Sequence, residues 1–99
     1  MSKPEDFQSY VFKHFEKWNF TKTESEIALM ILKGFSLRDI AGKRGTTETT
    51  TRQQALSLYK KAAVDGRHQL SAFFMEHLLT APQAEVEITP YGRNGSDSL

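Results

Sequence analysis

The 99-residue sequence contains no cysteine, only three prolines and no long hydrophobic run. Without cysteine the chain has no disulfide, no thiolate nucleophile and no cysteine-based zinc site. No apolar run approaches the roughly 20 residues that a membrane-spanning helix requires, and the N-terminus lacks the apolar segment of a signal peptide. We therefore expect no membrane segment in this chain and a location in the cytoplasm.

Residue patterns that bind metals or catalyse reactions are also missing from the sequence. His14, His68 and His77 do not have the spacing of metal ligands, and no cluster of Asp or Glu accompanies them. There is no Gly-rich phosphate loop, nucleophile elbow or pair of carboxylates at catalytic spacing. We expect no enzyme activity, no cofactor and no metal.

Charge is unevenly distributed, although the net charge is only +1. Residues 38–67 hold seven basic side chains against three acidic ones. The basic residues are Arg38, Lys43, Arg44, Arg52, Lys60, Lys61 and Arg67. Such a local excess suits a phosphate-binding surface, because each neutralised phosphate releases counterions. An ordinary solvated surface could have the same composition, so charge alone does not decide between the two.

The N-terminal segment, residues 1–20, has one apolar stripe at helical spacing. Phe7, Val11, Phe15 and Trp18 follow one another at intervals of four, four and three residues. This spacing predicts an amphipathic helix over residues 4–18. The helix could pack on the rest of the fold, or it could serve as a linker, a dimer surface or a surface for a protein partner.

Two short helices are predicted next. Thr21 and Glu24 form the capping box of the first, in which each side chain satisfies a backbone N–H of the other residue. Ser36 can cap the second, and Gly45 ends it because glycine adopts the left-handed backbone of a tight turn.

The stretch "GTTETTTRQQ", residues 45–54, is rich in threonine, whose branched side chain disfavours helix interiors. Directly downstream, "QQALSLYKKAA" has a helical period and no strand-like alternation. The threonines are therefore predicted to cap and open a helix at about 48–62, with Thr47 as the N-cap. A short helix, a Gly-containing turn and a longer helix form a helix-turn-helix.

A final helix is predicted from about Arg67, and residues 80–99 form a polar tail that we expect to be disordered. The prediction is thus an all-α fold without a sheet: an extra amphipathic helix, a four-helix domain at 21–79 and the tail.

Residues 20–70 carry short motifs that, in this order, resemble the LuxR/GerE-type helix-turn-helix domain. The matching residues are Phe20, Thr21, Glu24, Glu26 and Ile27, then Gly34, Ser36, Asp39, Ile40 and Ala41, then Thr47, Thr50, Thr51 and Arg52, and finally residues 58–64 and Arg67. Three departures stand out. Thr51 stands where the family has Val, and Ala62 where it has Leu, which makes the core lighter. Leu56 stands where the family often has a basic residue.

The resemblance implies a four-helix domain that places the helix at 48–62 in the major groove of double-stranded DNA. The positions that match base-facing residues are Arg52, Gln53, Leu56 and Ser57. Arg suits guanine and Gln suits adenine. The candidate phosphate contacts are Thr47, Thr50, Lys60, Lys61 and Arg67. Capping remains the alternative role for the threonines, and a solvated helix end for the two lysines.

Two functions remain open from the sequence. The first is a sequence-specific DNA-binding transcriptional regulator that binds as a homodimer. Family members tend to dimerise through the last helix, which implies Leu70, Phe74, His77 and Leu78 as the interface; core packing is the alternative for Phe74. The second function is a protein-interaction module of the same fold that binds and blocks another transcriptional regulator.

Overall fold

The computed structural model describes residues 6–80, which fold into five α-helices. The helices are α1 (Phe7–Lys17), α2 (Lys22–Leu32), α3 (Leu37–Arg44), α4 (Glu48–Ala62) and α5 (Arg67–Thr80). Residues 6–80 contain no β-strand, so the predicted all-α fold is confirmed. The predicted polar tail lies outside the described residues except for Thr80.

Side-chain caps explain where α1 to α4 begin. The caps are Asp6, Thr21, Ser36 and Thr47, each of which accepts a hydrogen bond from the backbone N–H three residues later. The predicted capping box is complete: the Thr21 hydroxyl accepts from the Glu24 N–H at 3.0 Å, and Glu24 Oε1 accepts from the Thr21 N–H at 2.9 Å. Helix α1 begins at Phe7, three residues later than predicted, because Asp6 has extended backbone and caps the helix.

The turn between α3 and α4 depends on Gly45. This residue has φ 69° and ψ 36°, in the left-handed region that L side chains disfavour. Thr47 follows as the N-cap of α4, so a short helix, a tight turn and a 15-residue helix succeed one another as predicted. The threonine-rich stretch therefore opens a helix and does not form a strand.

All five helices contribute to one hydrophobic core. Its buried side chains are Val11, Phe15, Ile27, Ala28, Ile31, Ile40, Ala55, Leu58, Ala62, Leu70 and Phe74. Three aromatic side chains, Phe20, Phe35 and Tyr59, are partly buried against it. No helix within residues 6–80 is long and apolar enough to cross a membrane.

Helix α1 packs against α5 through aromatic side chains. The Phe15 and Phe74 rings meet edge to face with centroids 6.1 Å apart, and Tyr10 stacks on His77 at 3.6 Å. Val11 and Phe15 are buried in the core. Helix α1 therefore packs on the rest of the fold, which is one of the roles that the sequence allowed for it.

Candidate nucleic-acid interface

Helix α4 divides into a buried side and an exposed side. The buried side carries Thr51, Ala55, Leu58 and Ala62 and packs against α2 and α3. The exposed side carries Arg52, Gln53, Leu56 and Lys60. Three of the four predicted base-contacting residues therefore lie together on the solvent-facing surface of the helix that follows the turn.

Two of the threonines at the start of α4, Thr47 and Thr50, bond to each other. Thr47 Oγ1 accepts a hydrogen bond from the Thr50 N–H at 3.1 Å and donates one to Thr50 Oγ1 at 3.0 Å. Thr47 is exposed and Thr50 is half-buried. The sequence leaves capping and phosphate contact as alternative roles for these hydroxyls, and the bonds that they form are those of a cap.

Arg52 forms an ion pair with Glu48 one helical turn earlier. Arg52 Nη2 lies 3.0 Å from Glu48 Oε2, and both side chains are about half exposed. Solvent-exposed pairs of this kind contribute roughly 0.2–1 kcal/mol. The guanidinium can therefore exchange Glu48 for another acceptor at little cost.

A buried carboxylate, Glu24, joins the start of α2 to α4. Its Oε2 accepts a hydrogen bond from Ser57 Oγ at 2.7 Å, and its Oε1 accepts one from Lys61 Nζ at 2.7 Å. Burial by itself raises the pKa of Glu24, but the hydrogen bonds from Lys61, the Thr21 N–H and Ser57 outweigh it and leave the pKa below the ordinary 4.5. Ser57 and Lys61, predicted to contact DNA, are thus bonded within the chain.

Some of the basic side chains of residues 38–67 form bonds within the fold. Arg67 Nη2 donates to the Phe35 carbonyl at 2.8 Å, and Lys61 also donates to the Asn19 carbonyl at 3.2 Å. Arg44 pairs with Glu26 of α2. Lys60 and Lys61 are both exposed on α4, but of the two Lys61 is the one bonded to Glu24 of α2.

The four residues implied as a dimer interface do not share one environment. Leu70 and Phe74 are 0% and 1% exposed and belong to the core of the single chain. His77 is half-buried against Tyr10, whereas Leu78 is 41% exposed. Only Leu78 of this set presents a large accessible surface to a second molecule.

The connection from Glu24 to α4 could not be predicted from the sequence. The sequence predicts Glu24 as part of a capping box; in the structure one carboxylate oxygen bonds the cap and the other bonds Ser57. Ser57 and Lys61 are four residues apart and so lie on one face of the helix, but this local spacing does not identify Glu24 as their acceptor. Within residues 6–80, no group of three or more His, Asp or Glu is arranged to hold a metal ion.

Comparison with known proteins gives one informative similarity. The chain is 30% identical over 67 residues, or 68% of its length, to a candidate HTH-type transcriptional regulator of Aeromonas salmonicida, named for the exeN 3′ region. It spans about a third, 34%, of that protein. No protein-family model matches the sequence, and no solved structure matches it. The name of that relative describes a helix-turn-helix, and in this chain α3, the Gly45 turn and α4 follow one another in the order of such a motif.

Proposed function

We propose that the protein is a sequence-specific DNA-binding transcriptional regulator of the LuxR/GerE type, which inserts α4 into the major groove. The observation that carries this proposal is the exposed surface of α4, the second helix of the helix-turn-helix. This surface presents a guanidinium, an amide and an ammonium group to solvent. The residues are Arg52, Gln53 and Lys60.

The exposed residues have the chemistry that base reading needs. Arg52 can donate two parallel hydrogen bonds to guanine, and the Gln53 amide can pair with adenine. Arg52 gives up only its exposed pair with Glu48 to do so. We expect these two residues to contribute most of the hydrogen-bonded sequence preference.

The side chains that we propose as phosphate contacts differ in whether they are already bonded to another part of the chain. Thr47, Thr50 and Lys60 can reach a backbone without breaking contacts between helices. Lys61 and Arg67 would have to share or release their bonds to Glu24 and to the Phe35 carbonyl. We therefore expect Lys60 to contribute more to DNA affinity, and Lys61 to contribute more to the stability of the fold.

Dimerisation through α5 is part of the proposal, because a dimer reads two half-sites about one helical turn apart and so recognises an inverted repeat. Leu78 is the member of the proposed interface with the most accessible surface.

The alternative function, an interaction module that blocks another regulator, also has support. Ser57, Lys61 and Arg67 are engaged within the chain, which reduces the surface free to bind DNA. Exposed hydrophobic side chains on α1 and α5, such as Phe12 and Phe73, could contact a protein partner.

Selection of bound fragments from random double-stranded DNA distinguishes the two functions. The proposal predicts enrichment of an inverted repeat. It also predicts that Lys60→Ala weakens binding to all sequences alike and lowers the salt slope by about one unit, since one phosphate contact is lost. The matched variant Lys61→Ala should change that slope less and lower the melting temperature more. Absence of any enriched sequence would favour the interaction module.

A further inference from the structure

Leu56 is an exposed leucine in the middle of α4. It is 59% exposed, while Ala55 and Leu58 beside it are 1% and 0% exposed. The packing of α4 on α2 and α3 therefore turns this side chain outward. It lies one turn beyond Arg52 and one turn before Lys60, on the same face as both.

This leucine stands apart from the other exposed hydrophobic side chains of the described residues. Those side chains lie on α1 and α5: Phe7, Phe12, Phe73, Met75, Leu78 and Leu79. Leu56 instead lies between a guanidinium and an ammonium. A DNA site bound by this face would bring an apolar group to Leu56 and hydrogen-bond acceptors or phosphates to Arg52 and Lys60.

The major groove has one such apolar group, the C5-methyl of thymine. A leucine has no donor or acceptor, so against any other base edge it would only remove water from polar atoms. Resting on the proposed DNA-binding function, we infer that Leu56 reads the methyl group of a thymine in the operator half-site. This residue thus determines specificity by apolar contact.

Helix geometry places that thymine. Four residues of α-helix advance about 6 Å along the axis, and stacked base pairs are about 3.4 Å apart along each strand. Because the projection of this rise onto the DNA axis depends on the angle of α4 to the DNA, the thymine should lie within about two base-pair steps of the guanine that Arg52 contacts.

Deoxyuridine substitution tests the inference, since it removes only the methyl group and keeps the hydrogen-bonding edge of thymine. Each thymine of the selected site is replaced in turn, and affinity is measured for the wild type and Leu56→Ala. At one thymine near the guanine, uracil should weaken wild-type binding by about three- to fivefold. Leu56→Ala should bind both forms of the site equally. Leu79→Ala, which removes a more exposed leucine outside α4, should keep the wild-type ratio.

The outcomes separate this inference from the proposed function. A selected site at which no uracil weakens the wild type would overturn the inference and leave DNA reading by α4 intact. The same would follow if Leu56→Ala kept the wild-type preference for thymine. A wild type without any preferred site would overturn the proposed function and this inference with it. Circular dichroism of both variants checks that the helices are retained.

Discussion

At the scale of single residues, Thr51 has an unusual environment. It is 0% exposed in the core side of α4, and its hydroxyl has no hydrogen-bond partner among the described residues. The LuxR/GerE-type domains that the sequence resembles have Val at this position. Valine has the same shape as threonine but lacks the hydroxyl. A buried polar atom without a partner costs roughly 1–3 kcal/mol. The threonine thus fits the core by shape but lowers the stability of the fold.

Thr51→Val should therefore stabilise the protein. We expect the free energy of unfolding to rise by about 1–2 kcal/mol, because the buried hydroxyl is removed while the packing is retained. Urea unfolding followed by circular dichroism measures the change. The same substitution at Thr49, which is exposed on the same helix, should stay within about 0.5 kcal/mol of the wild type. An unchanged or lower stability of Thr51→Val would mean that the hydroxyl is satisfied in solution.

At the scale of elements, the sequence predicted the helix caps but not the contacts between helices. A cap joins residues three positions apart, so Thr21, Ser36 and Thr47 could be recognised from local spacing. Glu24 meets Ser57 and Lys61 across 33 and 37 residues of chain. That encounter depends on how α2 packs against α4, which no local pattern specifies.

The same limit applies to the candidate DNA-binding surface and to the proposed dimer surface. The helical period could place Arg52, Gln53 and Leu56 on one face, and the model shows them exposed. The helical period alone could not reveal that Ser57 and Lys61 bond to Glu24 of α2, because the direction of these side chains depends on how α4 is rotated about its axis when it packs on α2. Likewise, the position of Phe74 in the core depends on the aromatic side chains of α1.

The Glu24 contacts predict a pH-dependent effect of Glu24→Gln. We expect this variant to lose about 1–2 kcal/mol of stability at pH 7, because the charged hydrogen bonds that join α2 to α4 are weakened. The folded pKa of Glu24 is below the ordinary 4.5. Its stabilising contribution is therefore complete above that value and is lost as the pH falls through the folded pKa.

Urea unfolding at pH 7, 5 and 3 should show the gap between Glu24→Gln and the wild type narrowing toward acid. Glu26→Gln is the matched control, since Glu26 lies on the same helix and its pair with Arg44 is more exposed. That change should cost less than about 1 kcal/mol. A gap that stays constant down to pH 3 would contradict a stabilising role for the ionised carboxylate.

At the scale of the whole molecule, α1 and α5 each bury one face in the core and carry exposed hydrophobic side chains on the other. Leu78 and Phe12 are 41% and 40% exposed, on α5 and α1 respectively. Either helix could form the interface between two copies of the chain. Leu78 and Phe12 have nearly the same exposed fraction. They can therefore be compared without disturbing the core.

Leu78→Glu should separate the proposed dimer, because it places a charge in an apolar seam. We expect sedimentation to give a lower mass than the wild type at equal concentration, with helicity retained. Phe12→Glu should leave the mass unchanged. Phe74→Glu would not be informative, since that side chain is buried and its replacement would unfold the core. A lower mass for Phe12→Glu alone would move the seam to α1.

Arg52→Ala is the variant that shows whether α4 reads DNA sequence. The measurement is the ratio of affinities for the selected site and for scrambled DNA of the same composition, in wild type and variant. We expect Arg52→Ala to lose about 1–3 kcal/mol of binding free energy on the selected site and to relax the preference at one base pair, because a bidentate guanine contact disappears. Arg38→Ala, which removes an exposed guanidinium from α3, should leave the ratio unchanged. If the Arg52→Ala ratio equals that of the wild type, or if the wild type binds both DNAs equally, α4 does not read DNA sequence through Arg52.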